Sequence, residues 1–239
     1  MEFDIKRLVR LIQQQASVHP GLCFIVAITG IPGSGKTTVA KSIVRELSRT
    51  ANTKAGLISM DGFHLTREEL SRLPNPEEAH ARRGAPWTFD TNGLVAFVQK
   101  LRIWANEIPI GSANGISAQE NMIKAPGFDH EAKDPVEDSV TITADTRIII
   151  FEGNYLLLNE PGWLNLADLF DYRIFIDVDP LQVRDQLAKR HFAAGIEQTL
   201  TDAYKRIDNN DFLNAIIIQD KQLRPDLIIQ KSEQKFHQS

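Results

Sequence analysis

A chain of 239 residues with 42% hydrophobic and 24% charged side chains has the make-up of an ordinary globular protein, which excludes intrinsic disorder and fibrous repeats. At roughly 150 residues per domain, this length predicts one large domain spanning the whole chain, 1–239, rather than two independent ones. Lys and Arg number 27 against 31 Asp and Glu, a net charge of −4, so no field is set up for a polyanion such as nucleic acid.

The lone cysteine, Cys23, excludes an internal disulfide and suits a reducing compartment. Residues 1–20 carry no signal-peptide core, and the apolar run Leu22 to Ile28 is far shorter than the roughly 20 residues of a membrane span. The expectation is a cytoplasmic protein with no membrane partner, beginning at its own N-terminus.

Phe3 to Ala16 sets Leu8, Leu11 and Ile12 at helical spacing, which predicts an amphipathic helix within an N-terminal segment, 1–20. Such a helix, lying on the outside, also allows a homodimer. His19, Pro20 and Gly21 break it, and Leu22 to Thr29 reads as a strand buried on both faces. Gly56–Met60, Arg147–Phe151, Tyr172–Val178 and Pro225–Ile229 repeat that pattern. Helical stretches lie between: Thr37–Leu47 with Val39, Ile43, Val44 and Leu47 on one face, and Leu94–Trp104 behind an N-cap at Asp90 or Thr91. Strands alternating with helices predict an α/β fold, a parallel sheet with helices on both faces.

Asn106 to Asp145 breaks the alternation, with Gly111, Gly115, Pro126, Gly127 and Pro135 around two strand-like pieces, Asn121–Lys124 and Val140–Thr143. About forty residues without a helix is long for a connection, and predicts an inserted β-hairpin or a functional loop. The tail, Lys231–Ser239, is polar and expected to fray.

Gly30-Ile31-Pro32-Gly33-Ser34-Gly35-Lys36-Thr37 matches the phosphate-loop pattern G-x-x-x-x-G-K-[ST] between a buried strand and an amphipathic helix. Glycines let the backbone N–H groups wrap a phosphate, and the helix N-terminus adds partial positive charge. Gly30, Gly33, Ser34, Gly35, Lys36, Thr37 and Thr38 are therefore the expected nucleotide contacts, with Lys36 on the β- and γ-phosphates and Thr37 on Mg²⁺. No Asn-Lys pair exists to read guanine, and no Leu-Ser-Gly-Gly-Gln signature marks a transporter ATPase. Asp90-Thr91-Asn92-Gly93 fits the loose GTPase pattern D-x-x-G, but a helix cap explains it.

Carboxylates follow two of the buried strands. Asp61 ends the second and can take the proton of a hydroxyl attacking the γ-phosphate; the alternative is a cap for a helix from Leu65 onward. Glu152 ends the third, where it can hold Mg²⁺ through water or align the hydroxyl. The six His residues lack the spacing of zinc ligands. Arg184, Lys189 and Arg190 lie on a predicted helix ending near Gly195, and Arg190 can close over the transferring group as part of a lid, 184–197.

The phosphate loop, Asp61-Gly62-Phe63, Arg83 to Asp90, Pro126-Gly127-Phe128-Asp129, Glu152-Gly153 and Arg190 together resemble the uridine kinase, phosphoribulokinase and bacterial-type pantothenate kinase family of P-loop kinases. The resemblance implies a five-stranded parallel sheet, ATP with Mg²⁺ as phosphoryl donor, Asp61 as catalytic base and an acceptor pocket formed partly by the hairpin. Where uridine kinases have Pro-x-Tyr-Asp-Phe-x-x-His-x-Arg, this chain has Phe128 for the Tyr, Lys133 for the His and Pro135 for the Arg. Gly84-x-Pro86-x-x-Phe89-Asp90 is closer to the pantothenate kinase pattern, and Lys133 suits a carboxylate or phosphate.

His64, Arg82, Arg83, Phe128, Asp129 and Lys133 are thus the candidate contacts to a small-molecule hydroxyl acceptor. Three functions stay open: a uridine-type nucleoside kinase, a kinase for an acidic or sugar-like acceptor such as pantothenate, and a regulatory ATPase with no small acceptor.

Overall fold

Residues 4–50, 53–107 and 121–230 are described by the computed structural model. The apolar run after Gly21 forms β1 (Phe24–Gly30), buried along its whole length. The other four runs form β2 (Ala55–Ser59), β5 (Ile148–Gly153), β6 (Tyr172–Asp177) and β7 (Leu227–Gln230). All pair in parallel in the order β2-β5-β1-β6-β7, so the expected five-stranded sheet is present with β1 at its centre.

The register decides the chemistry. Glu152 of β5 lies between Ile28 of β1 and Ser59 of β2, which sets a carboxylate one row short of the C-terminal end of β5. In open parallel sheets that edge is where ligands bind.

The N-terminal helix, α1 (Ile5–Val18), is capped by Asp4 and buries Leu8, Val9 and Ile12. Its inner face packs on α2 (Lys36–Thr50), the helix that follows the phosphate loop. After the short α3 (Arg67–Ser71) and α4 (Pro76–Ala81), α5 (Thr91–Glu107) buries Leu94, Val98, Leu101 and Ala105. Asp90 does cap α5, its Oδ1 accepting the Gly93 N–H at 2.9 Å. The sheet's last crossover runs through α6 (Pro180–Ala193), α7 (Leu200–Arg206), a π turn (Ile207–Asp211) and α8 (Phe212–Asp220). Among the described residues no helix is long and apolar enough to cross a membrane.

The inserted hairpin is longer than its two strand-like pieces suggest: β3 (Met122–Asp129) pairs antiparallel with β4 (Asp134–Thr143), with a bulge between Ala125 and Gly127. Proline and glycine hid the extension, since both weaken a strand pattern while being tolerated at a bulge. Gly111 and Gly115, like the tail from Lys231, lie outside the described residues. The hairpin seats on the 3₁₀ turn after β2, Met60–Phe63, where a Cβ on Gly62 would collide with the Pro126 carbonyl. Only glycine lets β3 come this close to Asp61.

Candidate active site

The phosphate loop leaves β1 at Gly30 and enters α2 at Lys36. Gly33 and Gly35 hold φ of +81° and +89°, conformations that side chains with a Cβ rarely adopt, and nothing lies within 4 Å of where a Gly35 Cβ would stand. Ser34 Oγ is buried with no hydrogen-bond partner among the described residues. An open cradle and an orphaned hydroxyl at a helix N-terminus fit a bound phosphate.

Thr37 Oγ1 donates to Glu152 Oε2 at 3.1 Å, and Ser59 Oγ donates to Glu152 Oε1 at 2.6 Å. Glu152 is only 2% exposed; burial pushes its pKa up, opposed by the Lys36 ammonium. Burial likewise pushes Lys36 down, opposed by Glu152 and Asp61. A cation, two hydroxyls and the buried Glu152 carboxylate thus meet at one corner of the sheet edge, with Thr37 and Glu152 as the oxygen donors a divalent cation would find. Among the described residues no cluster of three His, Cys, Asp or Glu forms a metal site. Any Mg²⁺ here would need the nucleotide's own oxygens.

Asp61 follows β2 in the 3₁₀ turn, half-buried, its carboxylate without a hydrogen bond among the described residues. It caps no helix: Thr66 caps α3, with Glu69 completing a capping box. His64 Nδ1 lies 2.8 Å from the Asp61 carbonyl, and since a carbonyl only accepts, the proton sits on Nδ1. The ring packs 4.0 Å from Phe89 and 5.2 Å from Phe128, centroid to centroid. Burial lowers its pKa, against the pull of Asp61, so the imidazole is neutral.

The other predicted acceptor contacts are brought to the same edge but carry structural hydrogen bonds. Arg83 donates to the Lys133 carbonyl at 2.6 Å, to the Leu65 carbonyl at 3.0 Å and to Asp134 at 2.8 Å, and lies over the Phe128 ring. Arg82 donates to the carbonyls of Asn209 (2.8 Å) and Asn210 (3.4 Å) and to Asn214 Oδ1 at 3.2 Å. Asp129 Oδ1 accepts the Glu131 and Ala132 N–H groups in the hairpin turn, and these bonds lower its pKa. Lys133 donates to the Gly195 carbonyl at 2.9 Å, joining the hairpin tip to the end of α6. Phe128 stays half-buried against His64.

Arg190 is exposed and unpaired among the described residues, and its charge acts on both Lys36 and Asp211. Arg184 instead pairs with Asp208 at 2.7 and 2.8 Å and lies over Tyr204. The sequence reading missed Asn210, Asp211 and Asn214. Asn210 Nδ2 donates to the Arg83 carbonyl at 3.1 Å, and Asp211 faces the phosphate loop from the π turn. The one signal they offered was a polar run, Asp208 to Asp211, ahead of an apolar helix.

A phosphate loop, a buried carboxylate on the neighbouring strand and a free carboxylate after the strand beyond it define a P-loop kinase. No protein-family model matches the chain. A Schizosaccharomyces pombe protein named "Putative uridine kinase C227.14" is 34% identical over 226 residues, covering 94% of this chain and 88% of that protein. The chain belongs to this uridine kinase-type family of P-loop kinases, ATP-dependent phosphotransferases.

Among solved structures, one described as a "putative fructose transport system kinase" from Silicibacter sp. TM1040 is 28% identical, with a TM-score of 0.77 over 95% of this chain and 100% of that one. YFH7 from Saccharomyces cerevisiae, at 22% identity and a TM-score of 0.80 over 97% of this chain and 100% of that one, shares the fold.

Proposed function

We propose that this protein moves the γ-phosphoryl group of ATP to a hydroxyl of a small metabolite, in the manner of a uridine-type nucleoside kinase. The observation that carries the reading is the unpartnered Asp61 carboxylate at the sheet edge that holds Lys36, Thr37 and Glu152. The acceptor oxygen forms the new bond to phosphorus while the bond to the ADP oxygen breaks, and the acceptor's proton passes to Asp61. Lys36 and the backbone N–H groups of Gly33 to Thr37 hold the β- and γ-phosphates, and Arg190 neutralises charge on the transferring group. Mg²⁺, bound through Thr37 and Glu152, would supply further neutralisation of the phosphates. His64, fixed with its proton on Nδ1, presents Nε2 as an acceptor for a substrate hydroxyl or N–H.

A second reading, a sugar-type acceptor, is favoured by the 28% identical structure described as a fructose transport system kinase. Phe128, Lys133 and Pro135 also stand where uridine kinases carry Tyr, His and Arg. The test follows ADP formation from Mg·ATP across uridine, cytidine, sugars and pantothenate. Stimulation by uridine or cytidine supports the first reading, and a response confined to sugars replaces it with the second. Slow ADP formation that no acceptor stimulates would overturn both in favour of a regulatory ATPase.

A further inference from the structure

Two buried polar atoms face each other without a hydrogen bond among the described residues: Asp211 Oδ2, beside the phosphate loop, and His191 Nδ1, 3.9 Å apart. Unpaired buried groups of this kind are rare and costly in native folds, so a pair of them calls for a state in which they are satisfied. His191 sits on α6 directly after Arg190, while Asp211 closes the π turn between α7 and α8. Single π turns often mark functional positions, because the extra residue re-aims a side chain.

The π turn cannot drift. Arg82 grips the carbonyls of Asn209 and Asn210 from the acceptor side, and Asn210 holds the Arg83 carbonyl in return. Asp211 also lines, with Ile31 and Pro32 of the phosphate loop and Val183 and Leu187 of α6, a shallow open cleft. Arg184 on Asp208, at 2.7 and 2.8 Å, ties the first half of α6 to the same turn, so the 3.9 Å gap is one that the far end of the helix, carrying His191 and Arg190, would close.

The groups facing Asp211 are Lys36 from α2, Arg82 from the end of α4, Arg190 and His191 from α6, Arg206 from α7 and the Tyr155 hydroxyl after β5. We propose that Asp211 and His191 are positioning residues, a proton-sharing clasp that closes when nucleotide phosphates reach the loop and draws Arg190 over them. Phosphate oxygens compete for Lys36 and Arg190 and place negative charge beside an ionised Asp211. The carboxylate then takes one proton from solvent, its O–H donates to the lone pair on His191 Nδ1, and the proton returns to solvent when the nucleotide leaves.

The resting state is poised for this. Burial holds Asp211 up at about 6 in spite of four nearby cations. Burial, with Arg190 and Arg206, pushes His191 down to about 4, so near neutral pH it offers a lone pair.

The clasp rests on the kinase reading of the phosphate loop, and the test separates the two. Calorimetric titration with a non-hydrolysable Mg·ATP analogue, near neutral pH in two buffers of different ionisation enthalpy, counts protons taken up. The expected result is uptake of up to about one proton per nucleotide by the parent. Asp211→Asn should remove that uptake while leaving the analogue Kd within about threefold, and lower acceptor-dependent kcat about tenfold with little change in acceptor KM. His191→Gln, which keeps an acceptor oxygen, should retain more of the kcat than His191→Leu. Equal uptake by parent and Asp211→Asn, or no uptake by the parent, would overturn the clasp. No binding of the analogue by the parent would overturn the kinase reading itself, and the clasp with it.

Discussion

Two aspartates at opposite ends of the sheet are almost equally buried, with side chains 11% and 15% exposed, and could hardly be treated more differently. Asp171, just before β6, meets His19 Nε2 and Arg102 Nη2 at 3.0 Å each and accepts the Ile25 N–H at 2.7 Å. Asp211, at the ligand edge, leaves Oδ2 with no hydrogen bond among the described residues. Ser34 Oγ, Asn154 Oδ1 and His191 Nδ1 share that condition on the same side of the sheet. A buried charge with both oxygens engaged holds a fold in one arrangement, whereas one left short is stable only in company with something else. The N-terminal edge is built to stay, and the C-terminal edge is built to receive.

Substitutions at the two edges should therefore separate activity from stability. Asp61→Asn removes the proposed base with little change in shape. Acceptor-dependent kcat is expected to fall by about a thousandfold, roughly 4 kcal/mol of barrier, with nucleotide affinity and urea midpoint close to the parent. Lys36→Ala should instead weaken nucleotide binding and turnover together. At the other edge, Asp171→Ala takes the counter-charge from Arg102, which keeps only the Leu169 carbonyl, and the acceptor from the Ile25 N–H; we expect a loss of about 3 kcal/mol in urea unfolding with kcat of the folded enzyme unchanged. Normal turnover in Asp61→Asn would refute the assigned base, and a dead but fully stable Asp171→Ala would erase the distinction between the edges.

Asp211→Asn sharpens the same contrast through pH. The folded value of about 6 lies above the ordinary 3.8, so the native state binds this proton more tightly than the unfolded chain does. That contribution is complete below the ordinary value and is lost as pH rises through about 6. An always-neutral Asn should then be more stable than Asp near neutral pH, on the order of 2 kcal/mol, with the advantage gone toward pH 4. Urea melts at the two pH values decide it. Destabilisation near neutral pH would make Asp211 a held counter-ion like Asp171.

The same division explains what could be read in the sequence. Phosphate loop and sheet strands are local patterns, and Asp61 and Glu152 stand out in the sequence because each directly follows an apolar run that forms a strand. Asn210, Asp211 and Asn214 act through partners far along the chain, Arg82 being 132 residues from Asn214, and no local spacing encodes that. The π turn also shifts the helical period, and exposed Leu213 and Ile216 blur the stripe of α8. For Arg82, Arg83, Asp129 and Lys133, charge alone does not reveal whether the side chain meets a ligand or a backbone group. The structure gives all four a backbone partner.

Lys133 supplies the mildest test of the comparison. Its ammonium crosses from the hairpin tip to the Gly195 carbonyl, while Arg83 holds the Lys133 carbonyl from beneath and the residue sits at φ +58°. The bond is exposed, so Lys133→Met should change unfolding by less than about 1 kcal/mol. Its consequence lies in exclusion of water: with the tip released from the end of α6, solvent reaches the γ-phosphate more often. ADP formation without acceptor is then expected to rise about two- to threefold, while the acceptor-dependent rate falls only slightly. A coupled assay with and without acceptor reads both. A variant as destabilised as Asp171→Ala, with basal hydrolysis unmoved, would mean that the tip is fixed framework, and that the ligand edge is held as rigidly as the opposite one.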